Sequence, residues 1–342
     1  MRILILKRDK LGDMLLSTPM LSWLRSQRPE ARIDVLANTY NAWVLDGNPD
    51  VNSVITYQRV KEGGKIHWRA GVEQLIQTLQ LRGERYDWVI AANGEYSHRA
   101  LKRARWMGGQ QLVSYHEGKQ PPHWLSHPVQ TPTGLHETQR LTHLLTALGI
   151  PDPETTLPLR FELPAEASAF AQQWLHERQL EPGNYVTLGL GARRAKRQPT
   201  AEQIKRWTKH FYEQWGLQTV FMWTPGKSDN PLYPGDDDVA QPVLDAGLPW
   251  LHPFRGPLKP ALGLIWNGRT SLFPDSGLMH FAAASPGGVL GFFAEIEASP
   301  PPSQWAPVGP RAKWLEAAKT LSDLDDAAVF AALAPLLETA DQ

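Results

Sequence analysis

Short apolar runs alternating with amphipathic segments constrain this chain more than any other feature. Arg2–Leu6 (RILIL), Arg32–Ala37 (RIDVLA), Asp87–Ala91 (DWVIA), Tyr185–Leu190 (YVTLGL), Thr219–Trp223 (TVFMW) and Gly288–Phe293 (GVLGFF) are nearly continuous in hydrophobic residues. Such runs suit strands buried on both faces, as in a parallel sheet. Val51–Tyr57 and Ser271–Phe273 read as further strands, the latter stopped by Pro274. Between them lie segments with helical spacing. The first, Asp13–Ser26, carries Leu16, Met20, Leu21 and Leu24 on one side, and Pro19 either kinks it or marks the first turn of its main part. Ala42–Leu45, Val72–Leu81, Ser97–Trp106, Arg140–Leu148, Ala165–Gln179, Ala201–Trp215 and Ala261–Trp266 follow. Asp325–Leu337 is a terminal amphipathic helix that Pro335 is placed to end or kink. Strand–helix alternation of this kind predicts a doubly wound α/β fold.

A chain of 342 residues is long for one domain, and the Pro-rich passage Pro151–Pro164 is the best linker. Two domains are therefore expected, residues 1–160 and 161–342. Each half places a polar, glycine-containing loop after an apolar strand. Ligands of open α/β sheets bind at the carboxyl ends of strands, and two facing halves put a cleft between them. The first loop, Lys7–Gly12, is not the GxGxxG of a dinucleotide site.

Lys and Arg number 35 and so do Asp and Glu, which argues against a generic nucleic-acid binder. There is no cysteine, hence no disulfide framework, thiolate metal site or cysteine nucleophile. The histidines lack HExxH spacing and no GxSxG is present. The apolar N-terminal run is too short for a signal peptide, and no stretch has the length of a membrane span. A soluble or peripheral protein is expected.

Chemistry concentrates in a few loops. In Leu272–Ala284 (LFPDSGLMHFAAA) a strand, a polar turn and a helix start follow in succession. First-turn N–H groups and the helix dipole favour an anion there, and Gly277 permits close approach. Asp275 offers an acceptor for sugar hydroxyls, Ser276 sits in the turn, and His280 lies one turn into the helix. Asp and Ser also cap helices without any ligand. Asp13, just after Gly12, is placed to take a proton from a bound hydroxyl, or simply to cap its helix. Arg193, Arg194, Lys196 and Arg197 follow the turn Gly189–Gly191, a pattern suited to a diphosphate and equally to a solvated basic loop. Arg99, Lys102 and Arg103 share a helical face that would meet an anionic acceptor, a membrane surface or only water. The triplet Asp236–Asp238 reads better as a solvated loop than as a cation site.

Several stretches together resemble glycosyltransferase family 9, the ADP-heptose:lipopolysaccharide heptosyltransferases. They are RDKLGDMLLSTPMLSWLRSQRPEARIDVLA (Arg8–Ala37), similar to that family's opening GD and TP region, and YDWVIAANGEYSHRALKRARWMGG (Tyr86–Gly109). HETQRLTHLLTALGI (His136–Ile150), AKRQP (Ala195–Pro199) and DSGLMHFAAA (Asp275–Ala284) follow in the family's order. The resemblance implies a GT-B architecture: two Rossmann-like domains facing a central cleft, with the terminal helix often crossing back to the first. It implies inverting transfer without a metal ion or cofactor. The donor, ADP-heptose or a related nucleotide sugar, is then held mainly by the second domain and a lipid-linked inner-core sugar of lipopolysaccharide by the first. By the matched motifs Asp13 corresponds to the base, and Lys196 to the lysine on the donor phosphates. Asp275 corresponds to the donor-sugar contact, Ser276 and Gly277 to phosphate contacts, and His280 to their support. Gly191 and Gly256 fall in loops that approach the donor, and Gly12, Arg99, Lys102 and Arg103 fall on the acceptor side. A cytoplasmic enzyme, peripheral to the inner face of the inner membrane, is implied. Two features depart from the pattern: Gln198 stands where the family commonly has Trp, and Thr224–Asp238 matches poorly. They leave open a different nucleotide-sugar donor, or a binding protein with a decayed site.

Overall fold

The apolar runs become the strands of two parallel sheets, one in each half of the chain. The computed structural model describes residues 1–8, 10–62, 65–118, 120–191, 195–230, 235–295 and 301–338. The chain divides into two units, Met1–Glu162 and Leu163–Gln342.

In the first unit the strands are β1 (Arg2–Lys7), β2 (Arg32–Asn38), β3 (Ser53–Tyr57), β6 (Trp88–Ala91), β7 (Gln111–His116) and β8 (His127–Gln130). A separate hairpin joins β4 (Lys61–Glu62) to β5 (Lys65–Ile66). The sheet order is β3-β2-β1-β6-β7-β8, with every neighbouring pair parallel. Its helices are α1 (Leu11–Leu15), α2 (Thr18–Gln27), α3 (Trp68–Gly83), α4 (His98–Trp106) and α5 (Glu137–His143). Leu4, Leu6, Leu36, Val89 and Ala91 from the strands meet Leu101 and Ala104 of α4 in one buried cluster.

The second unit repeats the design. Its strands are β9 (Tyr185–Gly189), β10 (Gln218–Met222), β11 (Leu251–Phe254), β12 (Thr270–Pro274), β13 (Val289–Ala294) and β14 (Ala312–Ala317). They run in the order β11-β10-β9-β12-β13-β14, again all parallel. The helices are α6 (Ala165–Glu177), α7 (Ala201–Trp215), α8 (Asp237–Leu244), α9 (Leu258–Asn267), α10 (Gly277–Ala284), α11 (Pro302–Trp305) and α12 (Asp326–Glu338). Once the hairpin is set aside, both sheets have the doubly wound strand order 3-2-1-4-5-6, whose ligand crevice lies where the order reverses. Two such α/β units in one chain form the GT-B class of fold.

Four elements differ from the sequence reading in an informative way. The expected helix Asp13–Ser26 is two helices. The Ser17 and Thr18 hydroxyls donate to the Met14 and Leu15 carbonyls (2.6 and 2.8 Å), and Pro19 starts the second helix where its missing N–H costs nothing. β8 and β11 are edge strands carrying Pro128 and Pro253, which break the apolar pattern and are tolerated only at an edge. α12 runs through Pro335 to Glu338 and packs on its own unit. There Phe330 stacks on His210 at 3.7 Å, and Asp326 accepts from Arg206 Nε and Trp207 Nε1, each at 2.6 Å.

Candidate active site

In the second unit the strand order reverses between β9 and β12. Thr187 Oγ1 donates to Ser271 Oγ at 2.6 Å and ties the two strands. Gly189 has no side chain because the Phe273 ring lies where its Cβ would be, 2.1 Å away. β9 then leads into Gly191 at φ +108°, a conformation that L side chains rarely adopt. Arg193 and Arg194 lie outside the described residues. Ala195–Arg197 form one tight helical turn.

This turn brings cations over the end of β12. Arg197 Nη1 lies 3.5 Å from Asp275 Oδ2 and its Nε 3.6 Å from Glu295 Oε2, with most of its side chain buried. Lys196 is exposed, its Nζ 3.7 Å from Glu295 Oε1. Glu295 follows β13 in the left-handed region, φ +56°. So three carboxyl-end loops, after β9, β12 and β13, meet around two cations and two carboxylates.

Beyond β12 the backbone N–H of Asp275 donates to Phe292 O at 2.9 Å, which fixes the turn against β13. Ser276 is the extended N-cap residue of α10, and Gly277 is its first, exposed, helical residue. The Ser276 hydroxyl makes no capping bond and is buried without a partner among the described residues. An ordinary cap would use that oxygen on the helix. The Met279 N–H donates to Ser276 O at 3.2 Å, so the hydroxyl and the N–H groups of Gly277 and Leu278 are those placed to meet a ligand. His280 is buried, with its ring 6.5 Å from that of Trp305. Gly256 follows the edge strand β11, two strands from β9, where a Cβ would meet the Phe254 ring at 2.6 Å.

Gln198 and the acidic triplet form one structural unit. Gln198 Nε2 donates to Asp236 Oδ1, and Asp236 Oδ2 accepts from Thr224 N at 2.9 Å. Burial raises the Asp236 pKa. Asp237 accepts from Trp223 Nε1 and Gly226 N, both at 2.9 Å, and Asp238 from Ser228 N at 3.2 Å. Each of the three carboxylates thus accepts from a backbone N–H between Thr224 and Ser228. Among the described residues no cluster of His, Asp and Glu has metal-site geometry.

In the first unit the order reverses between β1 and β6. Gly12 is buried in α1 and Asp13 half-buried, with Oδ2 accepting from Lys10 N at 2.9 Å. Capping thus uses one carboxylate oxygen. After β6, the N–H of Ala100 donates to Ser97 Oγ at 3.4 Å and starts α4. Arg99 and Lys102 are exposed, but the face predicted for three cations holds only these two. Arg103 turns inward, its guanidinium 3.7 Å over the Tyr57 ring. Burial, opposed by Tyr57 and reinforced by the nearby Arg8 charge, lowers its pKa. The Nε atoms of Arg8 and Arg103 are both buried without an acceptor among the described residues. Beneath the β6 loop, Glu137 of the His136–Ile150 stretch is buried so close to Gly94 that a Cβ there would lie 2.1 Å from its carboxylate.

The order of these loops can be compared with known proteins. Lipopolysaccharide heptosyltransferase 3 of Escherichia coli K12 is 29% identical over 302 residues, spanning 84% of this chain and 80% of that protein. The glycosyltransferase family 9 structure from Veillonella parvula superposes with a TM-score of 0.79 over 98% of this chain and 97% of its own, at 20% identity. The chain thus shares its fold with glycosyltransferase family 9 structures and resembles a lipopolysaccharide heptosyltransferase over most of its length. A second structure, E. coli heptosyltransferase WaaC with ADP, has a TM-score of 0.74 at 17% identity over 98% of this chain and all of that one. No protein-family model matches the chain. Of the residues gathered at this end of the sheet, Arg197 belongs to the basic cluster read in the sequence, whereas Glu295 is not singled out there. Glu295 had only a positional signal, the first acidic residue after an apolar strand.

Proposed function

We propose that this glycosyltransferase moves a heptose from ADP-heptose to an inner-core sugar of lipopolysaccharide, with inversion and without a metal ion or cofactor. The likeness to lipopolysaccharide heptosyltransferase 3 across most of both chains carries the reading. A solved neighbour of the same fold is described with ADP-2-deoxy-2-fluoro heptose. Inversion requires a base on the acceptor hydroxyl and charge stabilisation on the departing diphosphate. Asp13 is the base. Lys196, Arg197 and the α10 N-terminus with Ser276 and Gly277 take the diphosphate charge, and Asp275 holds the donor sugar. The acceptor is lipid-linked and met at the cytoplasmic membrane surface.

The test is transfer from ADP-heptose to heptose-deficient core lipopolysaccharide, with other nucleotide sugars as competitors. Turnover should persist in EDTA, and the product should carry the anomer opposite to the donor. Loss of turnover in EDTA that Mg²⁺ restores would overturn metal independence. Stronger turnover with another nucleotide sugar would reassign the donor.

A further inference from the structure

Helix α3 is built inside out. Gln77 Nε2 donates to Thr56 O at 2.7 Å, and Gln74 Nε2 donates to Gln58 O, so glutamines tie it to the edge strand β3. Ala70 and Leu81 are its buried apolar residues. Trp68, Val72, Leu75, Ile76 and Leu79 point to solvent, with Trp68 69% and Leu79 62% exposed. Their spacing of four, three, one and three residues makes one continuous stripe along the helix. The glutamine bonds prevent the stripe from rolling inward. An apolar face this size, turned outward, marks an interaction surface.

Its surroundings are cationic. Exposed Arg69 flanks one edge of the stripe. Arg82 flanks the other, where its Nη1 donates to Trp106 O of α4 at 3.3 Å and joins the two helices. Trp106 is itself exposed, and α4 (HRALKRARW) carries four cations and no carboxylate. Of these, Arg99, Lys102 and Arg105 are exposed. Glu73 is the one acid on α3. The chain as a whole has no net charge, so this bias is local.

We propose that the outward face of α3, with the cationic face of α4 beside it, docks the protein on an anionic phospholipid surface. The apolar stripe enters the headgroup boundary as an interfacial helix does. Trp68 and Trp106 suit that boundary, where one end of the ring is apolar and the other wet. The cations meet lipid phosphates. A second copy fits less well, because a twofold contact would set these like charges against each other. The proposal goes beyond the reaction and does not depend on the sugar transferred.

The experiment is co-sedimentation of the full chain with vesicles of phosphatidylglycerol and phosphatidylethanolamine, and with phosphatidylcholine vesicles. The parent should bind the anionic vesicles, and binding should weaken as salt rises. Combining Trp68→Ser, Leu75→Ser and Leu79→Ser should weaken binding roughly tenfold or more, because affinity scales with the apolar area inserted. Arg99→Gln with Lys102→Gln should cost about fivefold per cation. The triple variant should keep its turnover on a delipidated, water-soluble core acceptor, which separates failed docking from failed catalysis. A parent that ignores anionic vesicles, or a triple variant that binds them equally well, would overturn the proposal. So would a lipid-free parent dimer in sedimentation velocity that the triple variant converts to monomer, since the face would then belong to a second copy.

Discussion

Lys196 and Arg197 are adjacent, yet their surroundings give them different work. Arg197 is largely buried between Asp275 and Glu295, whereas Lys196 is exposed and touches only the rim of that pair. Lys196→Ala should therefore weaken ADP binding while leaving Tm unchanged. A lost charge-assisted contact is worth roughly 1.5–3 kcal/mol, about ten- to hundredfold in Kd. Arg197→Ala should lower both ADP affinity and Tm, because two carboxylates then face each other without the cation. Calorimetry and melting curves on the two variants separate these outcomes, and equal ADP affinity in Lys196→Ala would remove it from the donor site. At Asp13 the cap and the base make opposite forecasts. Asp13 is the N3 residue of α1 and accepts from the N-cap Lys10 N–H, a bond an Asn Oδ1 also accepts, so Asp13→Asn should keep the fold and ADP affinity. As a lost base it should reduce turnover by about 10²–10⁴-fold. Near-normal turnover would leave Asp13 as a cap alone.

Among the elements, α12 depends on one carboxylate. The hydrogen bond from Arg206, with a further one from Trp207, holds the Asp326 pKa below the usual carboxylate range despite partial burial. A depressed folded value means the anchor is complete above the ordinary carboxylate range and fades as pH falls through the folded value. Asp326→Ala should cost about 1 kcal/mol at neutral pH, and the mutant and parent melting temperatures should converge in acid. A constant difference across that range would exclude the linkage. The same bond explains what was legible in the sequence. α7 and α12 were readable because their apolar spacing is regular, but no local pattern pairs Arg206 with Asp326 across 120 residues. β14 (AKWLEA) was missed because Ala, Lys, Leu and Glu favour helices, and only pairing with β13 makes it a strand. The α3 pattern revealed a helix but not its orientation, which Gln74 and Gln77 set through the β3 backbone. Asp13, Lys196 and Asp275 stand out in the sequence because each follows an apolar strand in a polar loop. Arg197 stands out in the same way, but its pairing with Asp275 and Glu295 does not, because that meeting requires β9, β12 and β13 to be adjacent. Gln198 is held in place by donating to Asp236 Oδ1, a contact that its local sequence does not reveal.

For the whole molecule, two sheets of the same strand order carry different loops, and the proposed function assigns the two units different substrates on that basis. The loops after β9, β12 and β13 gather cations and a helix N-terminus, the chemistry of an anion. Asp13 follows β1, and the buried Nε atoms of Arg8 and Arg103 lie in the same unit, which the proposed function makes the acceptor side. ADP alone should therefore act through the second unit. A ligand at about a hundredfold over its Kd adds ~2.7 kcal/mol to the state that binds it. For a unit of this size that raises Tm by roughly 5–11 °C. Hydrogen exchange on the full chain should then show the strongest added protection at Lys196–Arg197 and Asp275–Met279. The α1 segment should change little until an acceptor sugar is also present. The reverse pattern, with ADP protecting Leu11–Leu15 and leaving α10 unaffected, would exchange the roles of the two units and move the donor to the Asp13 side.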